Sequence, residues 1–480
     1  MATQKTLIRG GWIIAYNGRE HALLKDGVIV VEGNSVTHVG KTYDGVADTV
    51  IDASPYLISP GLISLHAHMM NSPLNKSFFE DTGSRQFGMS GLYDFGAVDN
   101  AATQADFRLC AEFSAAEMLK TGTTTVVELN RQNAETALDV IGNMGLRAYI
   151  VPAYRSGGWY TPDGKKVHYR WNEDAGFAGL RYSIEFIEKH RGAFDGRIDS
   201  MLSPYQVDTC TEELFKASKE AAEKLGVRLH THAAQSLVEF NAIMERHGLT
   251  PVQWLDRVGV LDSNLIIGHG IFISGHSAVN YPGDHDLNLL AASGATVAHC
   301  PWVFARRSIA LESFSRYLKA GVNLAIGTDT FPQDIIHDMK IASTVSKLID
   351  RDCCTATARE VFDAATLGGA KALGRDDLGR IAPGAKADLL FFKRHTLRMS
   401  PLRDPLKNIV FNSASEDIDR VMVDGRFVVE AGRVTGIDEE KLAASFQTAM
   451  ERMWAAAPQH DRAGRTIDEL APPSLPDWEE

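Results

Sequence analysis

LISPGLISLHAH, residues 57–68, is the stretch from which the fold is read. An apolar run, interrupted only by Ser59, Pro60 and Gly61, closes on His66 and His68. Alternate residues of a strand point to one side, so a strand ending His-x-His presents two imidazoles to one metal ion. Taken alone, the same pair also describes an exposed strand end. Further stations carry the argument: His230 and His232 in RLHTHAAQ (228–235), His269 in IGHG (267–270) and Asp329 in IGTDT (326–330). Each closes a β-like run. Neutral imidazoles with a carboxylate suit zinc or a similar first-row ion, and a coordination position left to water lowers that water's pKa toward ~7. His230 shares the face of His232 but lies two residues deeper, so His232 is the preferred ligand.

Outward from these stations, residues 59–374 alternate apolar runs with amphipathic stretches, the pattern of βα units around a parallel sheet. Eight candidate strands cover 62–68, 123–129, 147–155, 198–207, 228–234, 265–273, 296–301 and 323–330, with helices expected over 106–120, 212–225 and 311–320. Eight strands close a (β/α)8 TIM barrel, whose functional groups sit at the C-terminal strand ends. His66 and His68, His232, His269 and Asp329 fall at the ends of strands one, five, six and eight. Both flanks are rich in short β segments with Asp424-Gly425 as a hairpin signal. The expected organisation is therefore a β-sandwich built from 1–59 and 378–437, a metal-binding barrel over 60–377, and a C-terminal helix (439–453) with an extended arm over 438–480.

Composition narrows the classes. A formal net charge of −12 without a basic cluster argues against nucleic acid as a partner. No stretch reaches transmembrane length, and residues 1–7 run into strand-like sequence without the apolar core of a signal peptide. Five cysteines at irregular spacing fit reduced thiols in a cytoplasmic protein. Cys353 and Cys354, near a helix start, read as buried small residues.

The chain resembles the amidohydrolase superfamily of metal-dependent hydrolases in PGLISLHAH (60–68), in the later His, His and Asp stations, and in GAKADL (384–389). GTTTV (122–126) and HCP (299–301) are similar to the branch of cytosine and adenosine-type deaminases and triazine hydrolases. The resemblance implies one divalent ion, zinc first with Fe, Co or Mn open, held by His66, His68, His232 and Asp329, with His269 beside its water. It also implies a homo-oligomer acting on a small molecule. Strand four carries no lysine to bridge two metals, which favours a single ion. Glu128, ending strand two, is read as orienting a ligand histidine or capping the next loop.

Two departures from that branch shape the expected chemistry. The deaminases read His-x-x-Glu where this chain reads His232-Ala-Ala-Gln235. An amide cannot carry the proton that the glutamate shuttles. The branch's Pro-x-x-Asn becomes PWVFARR (301–307), whose apolar residues suit a non-polar substrate. These departures are similar to molinate and phenylurea hydrolases. The first expectation is metal-bound hydroxide attacking an amide, carbamate, thiocarbamate or urea, at a C–N or C–S bond. Asp329 or His269 is then the base, and Gln235 binds substrate. The alternative is an aminohydrolase or dechlorinase of an N-heteroaromatic ring. Arg155, Trp159, His299, Trp302 and Phe304 are the candidate pocket residues.

Overall fold

The computed structural model describes residues 4–478; the expected domain ends at 1–3 and 479–480 lie outside the described residues. The eight runs hold strands Leu62–Ala67, Thr123–Asn130, Arg147–Tyr154, Ile198–Asp199 with Ser203–Pro204, Leu229–Ala233, Leu265–His269, Thr296–His299 and Asn323–Ile326. The first four runs pair in parallel, as do the last four. Bridges join the two sets on both sides, Leu202 with Leu229 and Gln206 with His232, then Ala67 with Asp329. The pairing therefore runs in a ring. At the last junction the His68 amide donates to Asp329 O (2.8 Å) and the Asp329 amide to His66 O (2.9 Å), which fixes three of the four expected ligands side by side.

The fourth strand departs from the continuous run expected over 198–207. Ser200 turns its amide to Asp199 Oδ1 and its hydroxyl to Ile150 O, and Pro204 has no amide to pair. Beyond the break the chain rejoins strand three, Tyr205 N to Tyr154 O (2.8 Å), and bonds to strand five, Leu202 N to Arg228 O (3.1 Å) and His232 N to Tyr205 O (3.0 Å). Helices return between strands on their caps. Glu212–Leu225 starts at Thr211, whose hydroxyl accepts from Leu214 N, and stops at Gly226 with φ 66°.

Both chain ends meet in one nine-stranded sheet, where two facing sheets of a sandwich are expected. The reason is strand Tyr56–Pro60, which pairs with Lys5–Tyr16 on one edge and with Leu389–Lys393 on the other. Strand Leu389–Lys393 is buried on both faces by simple alternation. Leu389 and Phe391 join Ile8, Ile29 and Ile58 in the sheet's own core, while Leu390 and Phe392 enter the large core of the central unit. Beneath the ring, Arg147 is buried and donates Nε to Asp388 Oδ2 (3.0 Å) and Nη2 to Asp424 Oδ1 (2.8 Å), joining strand three to the sheet.

The C-terminal helix is longer than expected, Glu439–His460, carried on by Trp454 and three alanines. Its Phe446, Met450 and Met453 pack on Leu74, Phe78 and Phe95 of the long segment after strand one. Cys353 and Cys354 correct another expectation. Both are exposed, in the turn between helices Ile335–Asp350 and Ala358–Asp363. Among the described residues no helix is long and apolar enough to cross a membrane.

Candidate metal centre and active site

Strand ends one and six meet strand eight at Asp329, and the end of strand five stands beside them. Oδ1 of Asp329 lies 3.5 Å from Nε2 of His68 and 3.7 Å from Nε2 of His66, and its Oδ2 lies 3.7 Å from Nε2 of His269. Nε2 of His232 stands 3.2 Å from Nε2 of His68. The second ring nitrogen of three imidazoles is engaged elsewhere: Nδ1 of His68 with Leu129 O (3.1 Å), Nδ1 of His232 with Tyr205 O (2.7 Å), and Nδ1 of His66 with Nε2 of His230 (3.0 Å). A bond from Nδ1–H to a carbonyl fixes the tautomer that leaves the Nε2 lone pair free. His230 thus stands behind His66, outside the ligand cluster.

Protonation follows from burial. His66, His232 and His269 are held well below the usual histidine range by desolvation and by the neighbouring imidazoles, and His68 is lowered by desolvation. Neutral rings are what a metal needs. Nε2 of His66 and both ring nitrogens of His269 are buried with no hydrogen-bond partner. Orphans of this kind are costly in a folded protein, and a divalent cation would satisfy the facing lone pairs. His66, His68 and Asp329, and His66, His232 and His269, each offer ligand atoms within 4.8 Å of one another. The residues present fit a divalent ion.

Glu128 supports this floor from outside it. Its Oε2 accepts from the Met69 amide (2.6 Å), so it caps the turn after His68, and burial pushes its carboxyl up to about 8. Burial raises Asp329 as well, opposed by His68, Arg307 and Arg306.

A cavity of about 260 Å³ opens above the cluster, and His68, His232, Gln235 and Asp329 form part of its wall. Gln235 is buried with Oε1 unpartnered. Its position comes from Glu239, whose carboxylate accepts from the amides of Ala234 (2.5 Å) and Gln235 (3.1 Å) and so holds Ala234 at φ 56°.

Of the five expected pocket residues, only Phe304 reaches this wall, its ring edge-on to His269 at 4.6 Å. Trp159 lies on strand Gly157–Tyr160, in a hairpin that turns its indole N–H to Asp208 (2.9 Å), and Arg155 stacks on that indole. Trp302 turns away, edge-on to His337 at 4.8 Å, because residues 301–305 are helical and put 302 on a different side from 303 and 304. His299 is buried in a separate small recess beside Phe314.

The cavity instead draws on residues that sequence reasoning passed over, including Asn71, Asp99, Arg131, Tyr205 and Arg307. Asp99 accepts from Asn71 Nδ2 (2.9 Å), keeps Oδ1 unpartnered, and is pushed by burial up to about 6. The segment 69–103 has no periodicity to announce it. A helical reading of 301–307 would have placed 303, 304 and 307 on one face.

These features, strand-end histidines and aspartate on a ring of parallel strands, define a metal-dependent hydrolase fold. The chain belongs to the amidohydrolase family, whose model matches residues 57–428. It is 30% identical over 438 residues to a 5'-deoxyadenosine deaminase of Methanosarcina acetivorans, covering 90% of this chain and 95% of the relative. An adenosine deaminase from Xanthomonas campestris with bound zinc superposes with a TM-score of 0.80 at 23% identity, covering 94% and 98% of the two chains. An atrazine chlorohydrolase from Arthrobacter aurescens complexed with zinc gives 0.76 at 21% identity, covering 93% and 100%.

Proposed function

We propose that the protein is a metal-dependent hydrolase that displaces an amine or a comparable leaving group from a carbon of an N-heteroaromatic ring. The observation that carries the hydrolase class is the convergence of His66, His68 and His269 on Asp329 at the cavity floor, with His232 against His68. The deaminase named among the relatives, at 30% identity over nearly the whole chain, supports the ring-directed chemistry. This reverses the order taken from the sequence, which put amide-type hydrolysis first.

His66, His68, His232 and Asp329 would hold one divalent ion, and the zinc in the two solved structures supports zinc. When bound, such an ion supplies Lewis acidity and lowers the pKa of a water. The remaining work falls to side chains. Asp329 presents Oδ2 to Nε2 of His269 at 3.7 Å, and a carboxylate placed there can take the proton of the attacking water. It returns that proton to the leaving nitrogen. Gln235 neither gains nor loses a proton, so it orients the ring by hydrogen bonding to a ring nitrogen. Asp99 offers its free oxygen to a substrate donor. Phe304 covers His269 and keeps water from its far side.

A second reading rests on Gln235 itself. A non-titrating group at this station suits a carbamate, thiocarbamate or urea, whose carbonyl needs no ring protonation, the chemistry put first from the sequence. The test is a product assay on the protein as purified, with 5'-deoxyadenosine and aminotriazines in one set and phenylureas and thiocarbamates in the other. Ammonia or chloride from the first set supports the proposal. Aniline or thiol from the second, with the first inert, replaces it by the second reading.

A further inference from the structure

Arg307 is a buried cation that makes no direct ion pair, Asp329 and Glu80 acting on it only at longer range. It is 8% exposed and lies on the wall of the cavity above Asp329. Its Nε is buried with no hydrogen-bond partner, and no carboxylate among the described residues stands within ion-pair distance of it. The guanidinium lies 4.9 Å from the centre of the Phe79 ring, and a side chain at Gly91 would stand only 3.4 Å from its Nη2. Phe79 and Gly91 line the same cavity. The neighbouring Arg306 also leaves Nε unpartnered but donates its two terminal nitrogens to Phe331 O and Thr330 Oγ1, bonds that Arg307 lacks. Desolvation, then the charge of Arg306, opposed by Asp329 and Glu80, bring Arg307 down to about 10, so it stays charged at neutral pH.

A guanidinium taken out of water without a partner is costly, and an aromatic face accepts none of its five N–H bonds. The cavity's other charges leave it unanswered. Of the wall's two carboxyls, Asp329 faces the histidine cluster and Asp99 is bonded to Asn71, while Arg131 adds a second cation. With a divalent ion at the floor, the site carries a net positive charge. The missing partner is therefore brought by what binds.

We propose that Arg307 receives a carboxylate of the substrate, so that among N-heteroaromatic compounds the enzyme prefers those that carry one. This rests on the cavity being the substrate site of the proposed hydrolase. Arginine's planar fork matches a carboxylate with two parallel hydrogen bonds, and it holds the ring at a fixed distance from the floor, with Gln235 and Phe304 on the same wall.

Benzoate and benzamide differ by one charge at equal size, and calorimetric titration of both into the purified protein tests the proposal. The wild type should bind benzoate at least ~10-fold more tightly than benzamide, the scale of one charge-assisted bond. Arg307→Met should erase that preference with metal content unchanged, and Arg307→Lys should keep part of it. Replacing an unpaired buried cation by methionine is not expected to impair folding, and the lysine variant provides the comparison if it does. A benzoate preference that survives in Arg307→Met, or is absent in the wild type, overturns the proposal. A turnover arm separates this from the reaction itself. If no heteroaromatic amine releases ammonia while the benzoate preference stands, the ring-directed reading fails and the carboxylate site holds. If neutral and carboxylated amines are turned over equally well by the wild type, the carboxylate site fails and the reaction stands.

Discussion

Each imidazole at the cavity floor is aimed by the bond its other nitrogen makes. Leu129 O and Tyr205 O take the Nδ1 protons of His68 and His232, and His230 backs His66, so the free nitrogens turn toward Asp329. Glycine makes room for this: a Cβ on Gly268 would stand 2.8 Å from Nδ1 of His66. Asp329 differs from the histidines in being able to hold a proton while facing the ion. Asp329→Asn keeps an oxygen for the metal but loses that capacity. Turnover should fall at least ~10²-fold with metal retained, the size of a lost general base, as read by ammonia release beside elemental analysis. Gln235→Glu should raise ring deamination. If Asp329→Asn instead keeps near-normal turnover and His269→Ala is dead, the proton passes through His269.

Elements position these residues through their ends, and the ends are what the sequence makes legible. Apolar runs closing on His, His and Asp announce the strand termini because a buried parallel strand is apolar along its length. The break in strand four was not legible, since Ser200 and Pro204 act through partners that only folding supplies. The end of strand five depends in the same way on a remote side chain. Glu239 opens helix Leu237–His247, which starts at the Ser236 cap, and reaches back to the amides of Ala234 and Gln235. Glu239→Ala would orphan three buried donors, the amides of Ala234 and Gln235 and the Gln206 side chain, each worth about 1–3 kcal/mol, offset in part because desolvation and nearby Asp208 already strain this carboxyl. The expected net loss is about 2 kcal/mol in urea unfolding, with turnover falling further as Gln235 loses its fixed backbone. Normal turnover in a variant destabilised to that extent would show that Gln235 needs no such support.

At the scale of the whole molecule, the sheet from both chain ends is wedded to the strand ring by buried polar groups. His21 sits between them, its Nε2 3.1 Å from Thr366 Oγ1 and its ring edge-on to Phe362, with Nδ1 unpartnered. Burial, then the charges of Arg359 and Arg380, hold it down to about 4. The unfolded chain binds a proton there near 6.5 and the folded chain does not, so stability is full above that pH and declines as pH falls toward about 4. Chemical unfolding across this window should show a slope that His21→Gln reduces by one proton's share, the buried histidines at the cavity floor supplying the rest. The cavity wall, by contrast, was illegible in sequence for a reason at this same scale. It is assembled from loops without periodicity, and the hairpin carrying Trp159 turns an expected pocket residue toward Asp208. Arg147 gives the strongest test of the shared architecture. Its guanidinium spans Asp388 and Asp424 at 1% exposure, so removing it leaves two carboxylates without their cation. Breaking one side of such a pair costs about 3–5 kcal/mol. Arg147→Ala should lose that much in denaturant unfolding, while a chain ended near Gly374 loses Leu389–Lys393 and both faces that strand buries. That shortened chain should be insoluble or unfolded. Cooperative unfolding of it with metal bound would mean that the ring folds alone and the sheet is an addition to it.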